Sequence, residues 1–366
     1  MVKRKTLFTV ILIALFALGI FGVCYCARAA AESGVGTAED PHIISTPEQL
    51  KTFADEISSG TVDGYNGEYF VLSNDIDMSG ICAASPEGWD PVGDYLSRFK
   101  GHFDGRGFAV KNLDIVRPDE NYVGLFGILD EAATVVGLSV YGDIVGKNNT
   151  GGIAGQNFGR IENCFNHARI HNDTAEMAMN VGGITGLNGG AVVGCGNFGD
   201  IDGALYFVGG VVGINDAVVE GCFGAAEVSS SLKYGGGVAG MNSDGAIVSE
   251  SFNSGAVDVD TYSGGVVGGN DGTVACVYNT AAVMSTDHAG GICGTNGGVL
   301  SNAYNRTETI SGRVHKGAIC GRNVGSVELC YNSATLYPDS VDCVGVDDFD
   351  LSMPDVILAG GKLGGL

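Results

Sequence analysis

Seven times between residues 150 and 342 the chain repeats a unit of about 27 residues, and nothing else in the sequence restricts the fold so tightly. Aligned on paired glycines (Gly317-Ala318 in the last copy), the units begin at Thr150, Val181, Val208, Gly235, Ser263, Ala289 and Lys316. The spacings are 31, 27, 27, 28, 26 and 27 residues, and the long first one holds a polar insert around His171-Asn172-Asp173. The fourth place is always β-branched: Ile153, Ile184, Val211, Val238, Val266, Ile292 and Ile319. An asparagine column follows at Asn157, Asn188, Asn215, Asn242, Asn270, Asn296 and Asn323. A second apolar column runs Ile161, Val192, Val219, Val248, Val274, Leu300 and Val327, and a third Ile170, Ile201, Val228, Val257, Val283, Thr309 and Leu336.

Three apolar columns separated by turns predict about three short strands per coil, stacked in parallel about 4.8 Å apart. Three buried aliphatic side chains cannot offset the ordering of a whole coil, so each coil depends on its neighbours. Composition agrees. Glycine supplies 61 of 366 residues, against a usual share of about 7%, but without the every-third-residue period of collagen. A 45% hydrophobic content argues against disorder. Leucine-rich repeats need a recurrent leucine pattern, propeller blades a longer period, and helices would not tolerate paired glycines in every unit. The expected fold is all-β: a parallel β-helix, or β-solenoid, right-handed as parallel crossovers usually are.

The motifs Gly151-Gly152-Ile153-Ala154-Gly155-Gln156-Asn157 and Val181-Gly182-Gly183-Ile184-Thr185-Gly186-Leu187-Asn188, with their five successors, resemble the GLUG repeat of bacterial surface proteins. The preceding segment is similar to that family's lead-in. It runs from Gly36-Thr37-Ala38-Glu39-Asp40-Pro41 through Asn74-Asp75-Ile76-Asp77 to Phe103-Asp104-Gly105-Arg106-Gly107. The resemblance covers about residues 36–342. It implies an extracellular β-helix of the kind found in adhesins and in the N-terminal region of immunoglobulin A-cleaving metallopeptidases. It implies no single activity, because such a repeat is a scaffold.

Four regions follow. Residues 1–29 read as a signal peptide: Lys3, Arg4 and Lys5, an apolar run from Leu7 to Val23, then small residues around Ala27, Ala29 and Ala30. The alternative is an uncleaved anchor, since the run approaches spanning length. Phe21-Gly22-Val23 before Cys24 makes a poor lipobox. Residues 30–120 form an N-terminal cap and first coils, with strands expected near Tyr69–Leu72, Phe99–Phe103 and Phe108–Ile115. A short helix is expected there, capped by Ser45 or Thr46, with Pro47 in its first turn and Glu48 completing a capping box with Ser45. Leu50, Phe53, Ala54 and Ile57 share one face of that helix. Residues 121–342 carry the repeat β-helix, and 343–366 form a C-terminal tail or cap.

Cleavage after residue 29 leaves 15 basic and 42 acidic residues, a formal charge of −27. That surface repels nucleic acid and anionic membranes. Nine cysteines remain, an odd number, and read chiefly as small buried hydrophobes. A disulfide between stacked Cys164, Cys195 and Cys222 is geometrically feasible.

Catalytic residues are not apparent. No H-E-x-x-H occurs, and His42, His102, His167, His171, His288 and His315 lack ligand spacing, so neither metal nor cofactor is expected. The carboxylate pairs Asp75/Asp77, Asp200/Asp202, Asp258/Asp260 and Asp348/Asp350 could work as acid and base on one strand face, but no clustered Arg or Lys accompanies them. The asparagines read as a structural ladder, since Asn tolerates left-handed corners and its amides stack. The aromatic column Phe165, Phe223, Phe252, Tyr278, Tyr304 and Tyr331, interrupted by Gly196, reads as core packing, with sugar stacking as the rival. The expected function is a secreted or surface-displayed non-catalytic scaffold, adhesin-like or structural. Its partner would be a host or cell-surface protein or glycan, and a β-helical polysaccharide lyase or glycoside hydrolase is the alternative.

Overall fold

The computed structural model describes residues 34–172, 177–307 and 309–332. The signal segment 1–29 and the tail 343–366 lie outside them, as do Leu336, Asp348 and Asp350. The described chain is a parallel β-solenoid of about 11 turns and about 5% helix. Its strands divide between an eight-stranded sheet along one side and a 31-stranded sheet that wraps the rest.

Inter-coil register follows the repeat residue by residue. Thr150 stands opposite Val181, Val181 opposite Val208, and the series continues through Gly235, Ser263 and Ala289 to Lys316. Ile153, Ile184, Val211, Val238, Val266, Ile292 and Ile319 are fully buried. The second apolar column stacks from Ile161 to Val327. It also continues backwards through Val135, Phe103 and Phe70 to His42. The segment ahead of the repeat is therefore part of the same stack, with wider coils filled by aromatic rings instead of valines. The third column differs at one place. Opposite Val283 stands Ile310, buried, while Thr309 is exposed. The turn after Asn305 is one residue longer than its counterparts, and burial of the isoleucine sets the register there.

The coils of the repeat hold five short strands, or four where two merge as in Thr273–Asn279 and Val299–Asn305, not three. In one coil they are Thr185–Asn188, Ala191–Val193, Gly196–Asn197, Ile201–Gly203 and Phe207–Gly209. Of the two strands that the three apolar columns miss, the two-residue one points asparagine inward (glycine at Gly224), and the last one points its coil-start residue inward, as Val208 does. Glycine's role is also specific. The paired glycines are not left-handed. A Cβ on Gly183 would strike the Asn197 side chain and the Gly210 carbonyl, and one on Gly210 would strike the Gly237 carbonyl. Close approach across a narrow coil, not positive φ, requires glycine there. Left-handed backbone is concentrated in another column: Gly137, Asn163, Gly194, Gly221, Glu250, Cys276, Asn302 and Leu329, with φ between 49° and 62°. Glu250, Cys276 and Leu329 hold that corner against their own Cβ sterics.

The helix runs Pro47–Ser58 and is capped by Thr46. Gln49, not Glu48, closes the capping box: its Oε1 accepts from the Thr46 amide (3.2 Å), and its own amide donates to Thr46 Oγ1. With Thr46 as the cap, residue 49 occupies the third helical place, from which a side chain can reach back. Leu50, Phe53, Ala54 and Ile57 are buried. Phe53 packs on Phe70, Phe99 and Phe103, with ring centroids 4.7–5.9 Å apart. The two N-terminal strands that the sequence places loosely run His102–Asp104 and Ala109–Val123.

Because each coil stacks on its equivalent, deletion of Val208–Tyr234 should join Phe207 to Gly235 with every column in register. The shortened protein is expected to keep a strand-rich circular dichroism spectrum and to melt modestly lower. Gly210→Val in the full chain should lower the melting point more than the deletion does. Removing 13 residues from the same coil should be worse still, and equal stability of the two deletions would rule out the coil as the stacking unit.

Candidate functional site

Asparagines 157, 188, 215, 242, 270, 296 and 323 end successive strands of the eight-stranded sheet, with their side chains turned inward. Each Nδ2 donates to the Oδ1 of the next coil's asparagine, at 2.7–2.9 Å along the whole series. The same Nδ2 groups lie near carbonyls of the following turn, as Asn188 does at Gly190 and Val218. None of these asparagines is left-handed, so the amide chain alone accounts for them and the corner reading does not. The ladder has a direction and an origin. Opposite Asn157 on the N-terminal side is Leu129, and Asn157 Oδ1 is buried with no hydrogen-bond partner among the described residues.

A second amide ladder escaped the sequence reading. Asn166 donates to Asn197 at 2.7 Å; after an interruption at Gly224, Asn253, Asn279, Asn305 and Asn332 continue it at 2.9–3.3 Å. The signal was present, since an asparagine follows the aromatic column in six of seven copies. These inward amides are what the third-place glycines accommodate: Gly152 lies against Asn166, Gly237 against Asn253 and Gly291 against Asn305.

Strand alternation then decides the aromatic column. With asparagine inward, the preceding residue must point outward. Phe165, Phe223, Phe252, Tyr278, Tyr304 and Tyr331 are accordingly half-buried on the outer surface, not packed in the core. Phe223 stacks on Phe252 at 5.2 Å and Phe252 on Tyr278 at 4.8 Å, nearly parallel. The Phe223 ring leans over Gly196, filling the apparent interruption. Tyr141, His167 and Phe198 form an adjoining stack at 4.2 and 4.7 Å. A second outer column, one place before each coil start, was also missed: Phe207, Tyr234, Tyr262, His288 and His315, at 4.8–5.3 Å. In both columns rings cover one another's faces and present edges to solvent, which leaves few faces for a sugar to stack on.

The histidines are accordingly less scattered than their numbering implies, since His288 and His315 are stacked on adjacent coils. His42 contacts Glu68, His102 contacts Thr134 and His171 contacts Asp143. Among the described residues no group of three or more His, Cys, Asp or Glu could hold a metal ion. Nor is any described helix long and apolar enough to cross a membrane.

Two carboxylate pairs have partners that sequence distance concealed. Asp75 accepts from Lys111 Nζ (2.6 Å) and the Ala109 amide, and Asp77 from Asn112 (2.8 Å) and the Ser79 amide. These bonds, that from Lys111 foremost for Asp75 and that from Asn112 for Asp77, hold both carboxyls below the usual range. A general acid needs the opposite shift. Asp202 accepts from Nη2 and Nε of Arg169 (2.7 and 2.9 Å), and Asp200 accepts from the Glu227 amide. Lys111 and Arg169 each bring a single cation to one of these pairs, because residues about 35 apart in sequence are neighbours in a solenoid. Asp258 and Asp260 line an open groove of about 370 Å³ with Ser229, Ser231 and Thr286, whose hydroxyl donates to Asp260 (2.7 Å).

No family model matches the chain. A 134-residue stretch is 36% identical to a protein of Evansella cellulosilytica provisionally named a Gly-rich membrane protein, covering 36% of this chain and 15% of that one. A 132-residue stretch is 33% identical to halomucin of Haloquadratum walsbyi, covering 35% of this chain and 1% of halomucin. The matches thus span a small part of these curated relatives' own lengths. Among solved structures, a provisionally assigned immunoglobulin A1 protease from Bacteroides ovatus overlaps 84% of this chain and 80% of its own, at 18% identity and a TM-score of 0.48.

The amide chain predicts a position-dependent penalty. Asn215→Leu strands the buried Oδ1 of Asn242 and also takes the acceptor from Asn188 Nδ2, and should cost about 1–3 kcal/mol in denaturant melts. Asn157→Leu removes an amide whose oxygen is already unpartnered and should cost less; equal penalties would show that the amides do not act as a chain.

Burial, with the charge of His315 and Arg322, pushes His288 below its ordinary value, against a smaller opposing pull from Asp287. A depressed histidine binds protons less readily folded than unfolded. Its contribution is therefore present above the unfolded value of about 6.5 and is lost as pH falls below it. Urea midpoints should drop between pH 7.5 and 5, and His288→Phe, which keeps the ring, should flatten that dependence.

Proposed function

We propose that this chain is a non-catalytic β-solenoid scaffold of a secreted or surface-displayed protein of the GLUG type. In this reading it acts as an adhesin-like or structural module and meets a protein or glycan partner through its outer side chains. The observation that carries this reading is the allocation of polar groups. The interior amides are committed to stacking, and two of the three described carboxylate pairs are tied to cations, side-chain amides or backbone amides. The names of the curated relatives, a Gly-rich membrane protein and halomucin, fit a repeat protein at a cell surface. So do the export-like order of residues 1–29 and the acidic composition.

The groove at Asp258 and Asp260 favours one rival, a β-helical polysaccharide lyase or glycoside hydrolase. Purified residues 30–366 should bind members of a glycan and cell-surface protein array while releasing no reducing sugar or unsaturated product from a polysaccharide panel. Turnover abolished by Asp258→Asn or Asp260→Asn would overturn the scaffold reading.

A further inference from the structure

One inward column of the eight-stranded sheet ends in two cysteines. Its places are Ala154, Thr185, Val212, Ala239, Val267, Cys293 and Cys320, each opposite the next. Cys293 and Cys320 are 0% and 1% exposed, and the register sets one directly opposite the other. In-register parallel neighbours have Cα atoms about 4.8 Å apart, inside the span of about 4.4–6.8 Å that a disulfide bridges. The pair is also closed, because Val267 stands on its N-terminal side.

The other stacked thiols are arranged differently. Cys164, Cys195 and Cys222 form a run of three in mid-solenoid, where any one link leaves a thiol over; their thiols donate to backbone carbonyls, as Cys293 does to Thr295 (3.1 Å). Cys330, at the C-terminal place of that same column, donates to the carbonyls of Glu328 and Leu300. Among the described residues, only at 293 and 320 does the register set two cysteines against each other with no third in the column.

We propose that Cys293 and Cys320 are a modification site, at which oxidation by a small-molecule or protein disulfide joins two adjacent coils covalently. One cysteine thiolate attacks the oxidant R–S–S–R, forming a mixed disulfide and releasing one thiolate RS⁻. The second cysteine thiolate attacks the protein sulfur of that mixed disulfide, forming the Cys293–Cys320 bond and expelling the second RS⁻. The two protons given up by the cysteines end on the two released thiols. Two electrons pass from the cysteines to the oxidant, with no further reactant. The neighbouring Cys293 thiol, together with burial, holds the Cys320 thiol up, and the thiolate is the nucleophile. The link therefore forms while these coils assemble or open, and slowly in the closed stack. Once formed it keeps the coils paired when the sheet frays.

The test uses residues 30–366 carrying Cys276→Ser, refolded from urea in a mixture of reduced and oxidised glutathione, then denatured, alkylated and digested with trypsin. Cys320 falls in fragment 317–322 and Cys293 in 234–306, each then the sole cysteine of its fragment. The expected product is a cross-link between these fragments, absent from Cys293→Ala and Cys320→Ala. Reductant should lower the melting temperature of the oxidised protein by about 5 °C, with no such change in either variant. Both cysteines recovered alkylated after refolding would overturn the proposal, as would Cys320 linked to Cys330 or to any other cysteine.

Discussion

Every coil of this protein rests on a copy of itself, and in-register parallel pairing places each side chain directly against its equivalent. A residue type can fill a column only if it tolerates its own kind at about 4.8 Å. Aliphatic groups do so by burial. Amides do so because each offers a donor at one side and an acceptor at the other, so that Asn157 to Asn323 form one directed chain. Rings do so by stacking. Like charges do so less readily, although Asp114 stands directly opposite Asp143, which His171 contacts. In a chain with 42 acidic residues, most columns of the repeat accordingly stagger their acids or pair them. Asp258 stands between Ser229 and Met284, and Asp202 faces His171 with Arg169 bound to it.

The same constraint explains the narrow coil. An inward asparagine on the two-residue strand reaches the opposite wall, and the wall answers with glycine: Gly152 at Asn166, Gly183 at Asn197, Gly291 at Asn305. Where Gly224 replaces the asparagine, both facing positions are glycine and carbonyl contacts substitute for amide contacts. Polar groups inside the solenoid are thus consumed by stacking, which leaves chemistry to the outer surface. There the ring ladders hold their own faces closed, and Asp75 and Asp202 are paired with Lys111 and Arg169 from about one coil away.

Columns were legible in the chain because each recurs at one period: the coil starts, the first two apolar columns, the first asparagine column and the apolar face of the capping helix all follow from counting residues. Thr309 was misassigned because a single inserted residue in a turn is invisible to an offset measured from the glycines, while burial of Ile310 settles the pairing. Glu48 was misassigned because the choice between Ser45 and Thr46 as cap moves the third helical place by one residue. The aromatic column was placed in the core on its apolar character alone. In a two-residue strand one residue must point out, and the buried amide of the neighbouring asparagine took the inward place.

By itself, then, the sequence determined a stack of about 27-residue parallel coils and the residues that share a column, because periodic identity is a one-dimensional property. Only the tertiary structure decided which way each column faces and what stands beside it. Inward amide against outward ring, glycine against asparagine, Lys111 beside Asp75 and Cys293 against Cys320 all depend on contacts between residues roughly a coil or half a coil apart. Those contacts are fixed by how tightly the coil closes, a matter of packing volume and hydrogen-bond geometry that no single column encodes.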